Sequence, residues 1–470
     1  MNIRKNISKY AEQLFTIISL FLYSGALLSL ILSGGISQGD GRERPADYPA
    51  IQLIFLVIYI ITACLLFKHW RNIINLLIKE KYILFLISLA LVSVLWSELP
   101  IITIKRSIAL TGTTLFGLYF ALRYPIKEQL KLLGYTFGLV ISLSFIFVVA
   151  FPEYGIMGGV HQGIWRGIYT HKNSLGNIMA LSSIVFLLLA VDIYKYKFIL
   201  WLGFSFSIIL LLFSTSKTAL VSCAIVLTFL CIYWIWYKYY KAVLPTLMAI
   251  ILIGGNLFLQ VSADFFLPIA LSNRLSTEVI INNSQVTQQT PSGENKPQVT
   301  QQTPSGENKP QVIQQAPSVD TEDIKTFTGR TKLWSIVWEM IKKRPWFGYG
   351  YGGFWNGWDG PSAQVWRTEL WKPPHAHNGF LDIGLNLGLL GVSMFLIGLF
   401  INLFRISNLI VQSKISQYLF LATYLMYFTL ANLTETSVLK HNNLLWVLYV
   451  AITFSISILI FSSEPRKNKY

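Results

Sequence analysis

In the stretch WKPPHAHNGFLDIGLNLGLLG, residues 371–391, His375 and His377 stand one step before an apolar, glycine-spaced run. Asn378 follows them and is a good N-cap, since its side-chain oxygen can accept a backbone N–H of a first helical turn. The spacing predicts a helix that starts here, with His377 at its N-terminal edge. The positive end of the helix dipole disfavours an imidazolium there. A neutral imidazole can accept a proton, as the general base for a hydroxyl nucleophile must. A second reading is metal binding by His375 and His377 with Asp382 or Asp359, although no clear third ligand stands at useful spacing. The acids Asp40, Glu43 and Asp47 of SQGDGRERPADYP offer a further metal-dependent reading, that of a lipid-linked sugar transferase. Sensitivity to a chelator separates these readings.

Cations recur beside other apolar runs: Lys105 and Arg106, His171 and Lys172 in WRGIYTHKNSLGN, Lys217 in STSKTAL, and Arg330 in GRTKLWSIVWEMIKKR. A Lys or Arg at the centre of a membrane helix costs roughly 2.5–3.5 kcal/mol on insertion scales, and less near its edge. Each of these residues alone can snorkel to a lipid phosphate. Taken as a set on one surface, they fit a common anionic ligand, most simply a diphosphate.

The elements that must carry these groups are membrane helices. The chain is 53% hydrophobic and 13% charged, where a soluble domain carries about 25% charged residues. Runs long enough to span, about 17–25 residues each, fall near 13–33, 50–67, 82–99, 102–121, 133–151, 174–193, 198–215, 218–236, 242–260, 379–404, 416–432 and 443–462. The expected fold is therefore all-α and polytopic, with about twelve transmembrane helices (range 10–12) and a large extracytoplasmic loop between helices 9 and 10. The start shows no small-residue cleavage pattern, so an uncleaved first helix is expected. Placing both termini in the cytoplasm puts half of the 38 Lys and Arg residues on that side, as the positive-inside rule asks. The net charge of +16 is then mostly topology, and no basic stripe marks a nucleic-acid partner. Cys64, Cys223 and Cys231 all fall inside spans and form neither a disulfide framework nor a metal set.

This reading divides the chain into membrane helices at 1–260, an extracytoplasmic loop at 261–376 and further membrane helices at 377–470. Within the loop, QVTQQTPSGENKP occurs at 285–297 and again at 298–310, with a decayed copy at 311–318. Such a polar, Pro- and Gly-bearing unit buries too little surface to fold, so 281–323 is expected to be disordered. At 329–344, Leu333, Ile336, Val337, Met340 and Ile341 recur at helical spacing and predict an amphipathic helix stopped by Pro345. Half of the 14 tryptophans lie between 334 and 371, where they suit either an interfacial belt or a platform for sugar rings. The glycines of 345–360 carry no phosphate-loop pattern. Gly384, Gly388 and Gly391 read as helix-packing contacts.

His377-Asn378, nine residues, then Gly388-x-x-Gly391 resembles the signature of the O-antigen ligase and polymerase superfamily of bacterial membrane proteins. WRGIYTHKNSLGN resembles a motif of its exopolysaccharide polymerases, and STSKTAL, GRTKLWSIVWEMIKKRPWFGYG and Glu435 in ANLTETSVLKHNNLLW resemble other parts of the pattern. The likeness covers roughly 160–460.

It implies an inverting glycosyltransferase without metal or other cofactor, working at the outer face of the bacterial inner membrane. The implied donor is an undecaprenyl-diphosphate-linked oligosaccharide, and the acceptor is a glycan or lipid. Membrane lipids, a chain-length regulator and a flippase of the same pathway are the implied partners.

By position, His377 would activate the acceptor hydroxyl and Arg330 would hold the diphosphate. Lys217, His171, Lys172, Arg106, Arg344, Trp346 and Glu435 are the candidate substrate contacts. Lys217 stands where ligases of the superfamily carry Arg; lysine keeps the charge but loses the bidentate fork. The expected activity is polymerisation of exopolysaccharide or O-antigen repeat units. The alternatives are ligation to lipid A–core or protein and, from another class, a transporter or flippase, which would carry internal repeats that these halves do not show.

Overall fold

The computed structural model describes residues 2–27, 48–67, 70–158, 161–192, 196–239, 330–368, 372–412 and 417–463. The tandem repeat, the expected span at 242–260 and the acids Asp40, Glu43 and Asp47 lie outside these residues. The chain divides into two compact units, Met1–Thr246 with Ile336–Tyr470, and Leu247–Ser335. The second is described only from Arg330 onward, where it forms the first turns of a helix.

Among the described residues every regular element is helical. In chain order they are α1 (Asn2–Tyr23), α2 (Pro49–Phe67), α3 (Trp70–Lys79), α4 (Lys81–Val92), α5 (Pro100–Arg123), α6 (Ile126–Ala150), α7 (Pro152–Gly155), α8 (Lys172–Asp192), α9 (Lys197–Phe213), α10 (Lys217–Tyr239), α11 (Arg330–Lys343), α12 (Ala363–Thr368), α13 (Gly379–Gln412), α14 (Gln417–Asn432) and α15 (Leu444–Ser463). Six of the described helices are long and apolar enough to cross a membrane: α2, α6, α8, α10, α13 and α15, with α4 and α9 shorter but apolar.

The first unit exposes apolar side chains that a water-soluble domain would cover. Leu53, Leu56 and Ile60 of α2, Phe198, Ile199 and Trp201 of α9, and Phe400 and Phe404 of α13 are exposed, while Ser182, Ser183, Ser207, Thr114 and Thr453 are buried. Lipid tails are as apolar as leucine, so burying leucine gives little drive. Close packing at small residues and hydroxyl bonds across helices take over that role. Thus Ser182 of α8 and Ser207 of α9 share a hydrogen bond of 2.7 Å. Trp446 of α15 donates to Thr114 of α5 at 3.1 Å. Most of α8 and α15 is buried, whereas most of α2 and α10 is not, which sets α8 and α15 at the centre of this unit.

The opposite end of the helices from the histidines carries ion pairs. Arg123 at the end of α5 grips Glu12 of α1 through two nitrogens, at 2.6 and 2.8 Å. Arg405 of α13 reaches Glu80, which is fully buried, at 2.6 Å.

Gly388 corrects an expectation. Rather than a packing contact in a straight helix, it is a break inside α13, with φ 65 and ψ −164. The backbone groups released there pair with the turn after α11: Tyr349 N–H donates to Leu385 C=O at 2.8 Å, and Leu389 N–H to Pro345 C=O at 2.7 Å. A Cβ at residue 388 would collide with the Trp346 carbonyl. Gly388→Ala therefore meets a left-handed backbone and a backbone clash together. We expect it to cost about 3 kcal/mol, read as a lower thermal unfolding midpoint in detergent. A midpoint equal to wild type would refute this account of the break.

Candidate active site

Asn378 caps α13 as expected. Its Oδ1 accepts the N–H groups of Phe380 and Leu381 at 3.0 and 3.1 Å, and its amide donates to Leu433 C=O at 3.0 Å. One cap therefore fixes both the helix start and the loop that carries Glu435. The HAH turn before it is held just as firmly. Ala376 N–H donates to the buried Asp382 carboxylate at 3.1 Å, and Trp355 Nε1–H donates to the same oxygen at 2.7 Å. Asp382 is therefore a brace for the turn, and the acid beside the histidines is a different one.

That acid is Glu435. Its Oε2 lies 3.9 Å from His377 Nδ1, and both side chains are mostly buried. At this separation the contact is electrostatic rather than a hydrogen bond. The other oxygen of Glu435 accepts from the Asn173 amide at 2.9 Å. His377 itself sits at φ +50, a conformation uncommon outside glycine, and its N–H donates to His375 Nδ1 at 3.1 Å. The two imidazole rings are 4.1 Å apart, centroid to centroid. The Glu435 loop is fixed at its root by Asn432, whose Oδ1 accepts from Ser437 and Val438 N–H at 2.7 and 3.0 Å.

Asn173 brings in the start of α8. Lys172 is the first residue of α8 and Lys217 the first of α10. These two helix starts adjoin, since a Cβ on Gly176 would meet Ser216 and Ser214. Lys172 feels the charge of Lys217. Thr218 and Thr434 share a hydrogen bond of 2.8 Å, which ties the start of α10 to the residue next to Glu435. His171 Nδ1 accepts Asn173 N–H at 3.2 Å, and its ring stands edge-on to His161 at 6.0 Å. Burial, and then the Lys172 charge, lower the pKa of His161 below its ordinary value. Two helix N-termini, two ammonium groups and two imidazoles thus gather around one place, next to a carboxylate–imidazole pair. Helix N-termini present N–H groups and a partial positive charge, so the arrangement can hold a polyanion beside a proton acceptor.

Other sequence candidates sit differently. Arg106 is buried and donates to Gly352 C=O, which anchors the glycine-rich loop. Arg344 pairs with Glu98 at 2.5 Å and stacks over Tyr349. The Trp346 ring is exposed. Arg330 opens α11 and belongs to the second unit. Sequence reasoning missed the roles of Asn173, Thr218 and Asn432, although all three lie inside segments singled out by motif.

Residues 202–396 match the family model described as O-antigen ligase. The match takes in Lys217, Arg330, His375 and His377 and stops short of His171, Lys172 and Glu435. No curated protein matches the chain.

Proposed function

We propose, from the match of residues 202–396 to the O-antigen ligase family model, that this membrane protein is an inverting, metal-independent glycosyltransferase. It acts on a polyprenyl-diphosphate-linked oligosaccharide at the extracytoplasmic face of a bacterial inner membrane. The observation that carries the reading is the cluster in which His377 and Glu435 adjoin the lysine-bearing starts of α8 and α10.

In the proposed step an acceptor hydroxyl gives its proton to the Nε2 of His377. Its oxygen then attacks the anomeric carbon of the donor sugar from the face opposite the phosphate. The bond from that carbon to the phosphate oxygen breaks, and its electron pair leaves with the polyprenyl diphosphate. The configuration at the carbon inverts. Negative charge grows on the leaving oxygen, and catalysis gains most from cations fixed where charge develops. Lys172 and Lys217 supply it at the helix starts. Lipid keeps the donor in the plane of the bilayer, so the site has only to orient it.

Glu435 has a separate task. A carboxylate facing Nδ1 favours the tautomer with its proton there, which leaves the Nε2 lone pair for the acceptor. It also stabilises the imidazolium that forms. Glu435→Gln keeps the shape and removes the charge. The expected result is a fall in kcat of about 10- to 100-fold with KM for donor little changed. An unaltered kcat would remove Glu435 from the mechanism.

The acceptor decides between polymerase and ligase. WRGIYTHKNSLGN supports a polymerase that moves the growing chain onto a new lipid-linked repeat unit. The family description favours a ligase that moves the finished glycan to lipid A–core or a protein hydroxyl. Purified protein in nanodiscs, supplied with its native lipid-linked donor alone, tests this. A ladder of lengthening lipid-linked products supports polymerisation. A donor consumed only when lipid A–core is added makes the chain a ligase. Solute flux without cleavage of the donor would make it a transporter and overturn the reading.

A further inference from the structure

The HAH turn and Glu435 together form a second kind of site. One ligand atom from each of His375, His377 and Glu435 lies within 4.8 Å of the other two, and all three residues are partly buried. Two imidazoles and one carboxylate are a donor set that zinc takes readily. Tetrahedral ligands about 2.0–2.1 Å from a zinc ion stand roughly 3.4 Å from one another, so small side-chain rotations would close the set. The turn that carries the rings is held by bonds described above: Ala376 N–H to Asp382, and the Asn378 cap.

We propose that His375, His377 and Glu435 bind a divalent transition ion of the zinc type, and that its binding shuts the enzyme off. Neutral imidazole has a single lone pair. On His375 that pair now accepts the His377 amide N–H, so the metal would exchange one neutral hydrogen bond for a coordinate bond. On His377 the metal would occupy the ring and pair with Glu435, the two groups that the transfer step needs free. Protons compete with metal for both rings, so binding weakens as pH falls. The inhibitory half of this proposal rests on the glycosyltransferase reading. The binding half does not.

The test uses the full chain, purified in detergent and stripped of metal, titrated with Co²⁺ alone and followed by its visible d–d absorption. Zn²⁺ then displaces the Co²⁺. The expected result is one ion per chain with the intensity of a four- or five-coordinate site. His375→Asn is the informative variant: the Asn oxygen can still accept the His377 N–H, but a carbonyl is a poor zinc ligand beside imidazole. We expect at least the roughly 10- to 100-fold loss of affinity that an outer-shell change already brings, and a similar loss for Glu435→Gln.

Zn²⁺ should also halt glycan transfer by the wild type, with recovery on adding EDTA. No Co²⁺ spectrum in the wild type, or one that His375→Asn leaves unchanged, overturns the site. Transfer that Zn²⁺ stimulates overturns the inhibitory role. A wild type that binds Co²⁺ yet transfers no glycan leaves the site standing and defeats the glycosyltransferase reading instead.

Discussion

His377→Ala is expected to lower glycan transfer by about 10²- to 10⁴-fold, the range that a positioned general base contributes, while the protein stays folded. The side chain lies between His375 and Glu435 and at the root of α13, where Asn378 rather than His377 makes the cap. Removing the imidazole thus leaves the helix start intact. The backbone offers a second control. Residue 377 holds φ +50, a conformation that costs a non-glycine residue of order 1–3 kcal/mol. His377→Gly should therefore be as inactive as His377→Ala but more stable, by about 1 kcal/mol. Two variants that lose the same activity while differing in unfolding temperature would separate chemistry from fold. Full activity in a folded His377→Ala protein would remove the residue from the mechanism.

The second large effect belongs to the lysines at the starts of α8 and α10. Each is a cation at the positive end of a helix dipole, a placement that costs about 0.3–1 kcal/mol, and the two helix starts adjoin. A bound diphosphate would offset that cost. Lys172→Met and Lys217→Met are each expected to cut kcat/KM by roughly 100-fold, as loss of one group stabilising a developing charge does. The double variant should fall further. In the absence of donor, the same variants should unfold at the same temperature as wild type or a slightly higher one. Rising stability with falling activity is the signature of a ligand-directed charge. Variants that unfold earlier and keep their turnover would make these lysines structural.

Much of the fold could be read before any coordinates. The apolar runs predicted most of the membrane helices, Asn378 predicted the start of α13, and the period at 329–344 predicted α11. These are local signals, set by composition and spacing over one or two turns. Gly388 shows where such reasoning stops. Its spacing from Gly384 fits a packing stripe, and nothing local says that the helix breaks there to receive the carbonyls of a turn some forty residues earlier. Arg106 is a similar case, because its partner is the carbonyl of Gly352, and a backbone acceptor leaves no mark in a side-chain pattern.

For the site, the residue types around His377 and the lysines were legible as chemistry. Their arrangement was not. Glu435 entered by resemblance alone, and the Asn173 amide that holds it comes from a helix 262 residues away in sequence. Asp382 was weighed as a metal ligand because it stands near the histidines in the chain. In the folded unit it turns inward to Trp355 and Ala376, and the acid that faces the imidazole comes from the loop between α14 and α15.

The central claim is that this chain breaks a sugar–diphosphate bond using His377 at one end of the bundle. It is tested most directly by measuring release of polyprenyl diphosphate over time. Purified protein in nanodiscs would receive its native lipid-linked donor and acceptor in the presence of EDTA, with wild type and His377→Ala run side by side. The account predicts acceptor-dependent release by the wild type, with inversion at the anomeric carbon of the product, and little above background from the variant. Equal release by both proteins, or release by the wild type that EDTA abolishes, would contradict it.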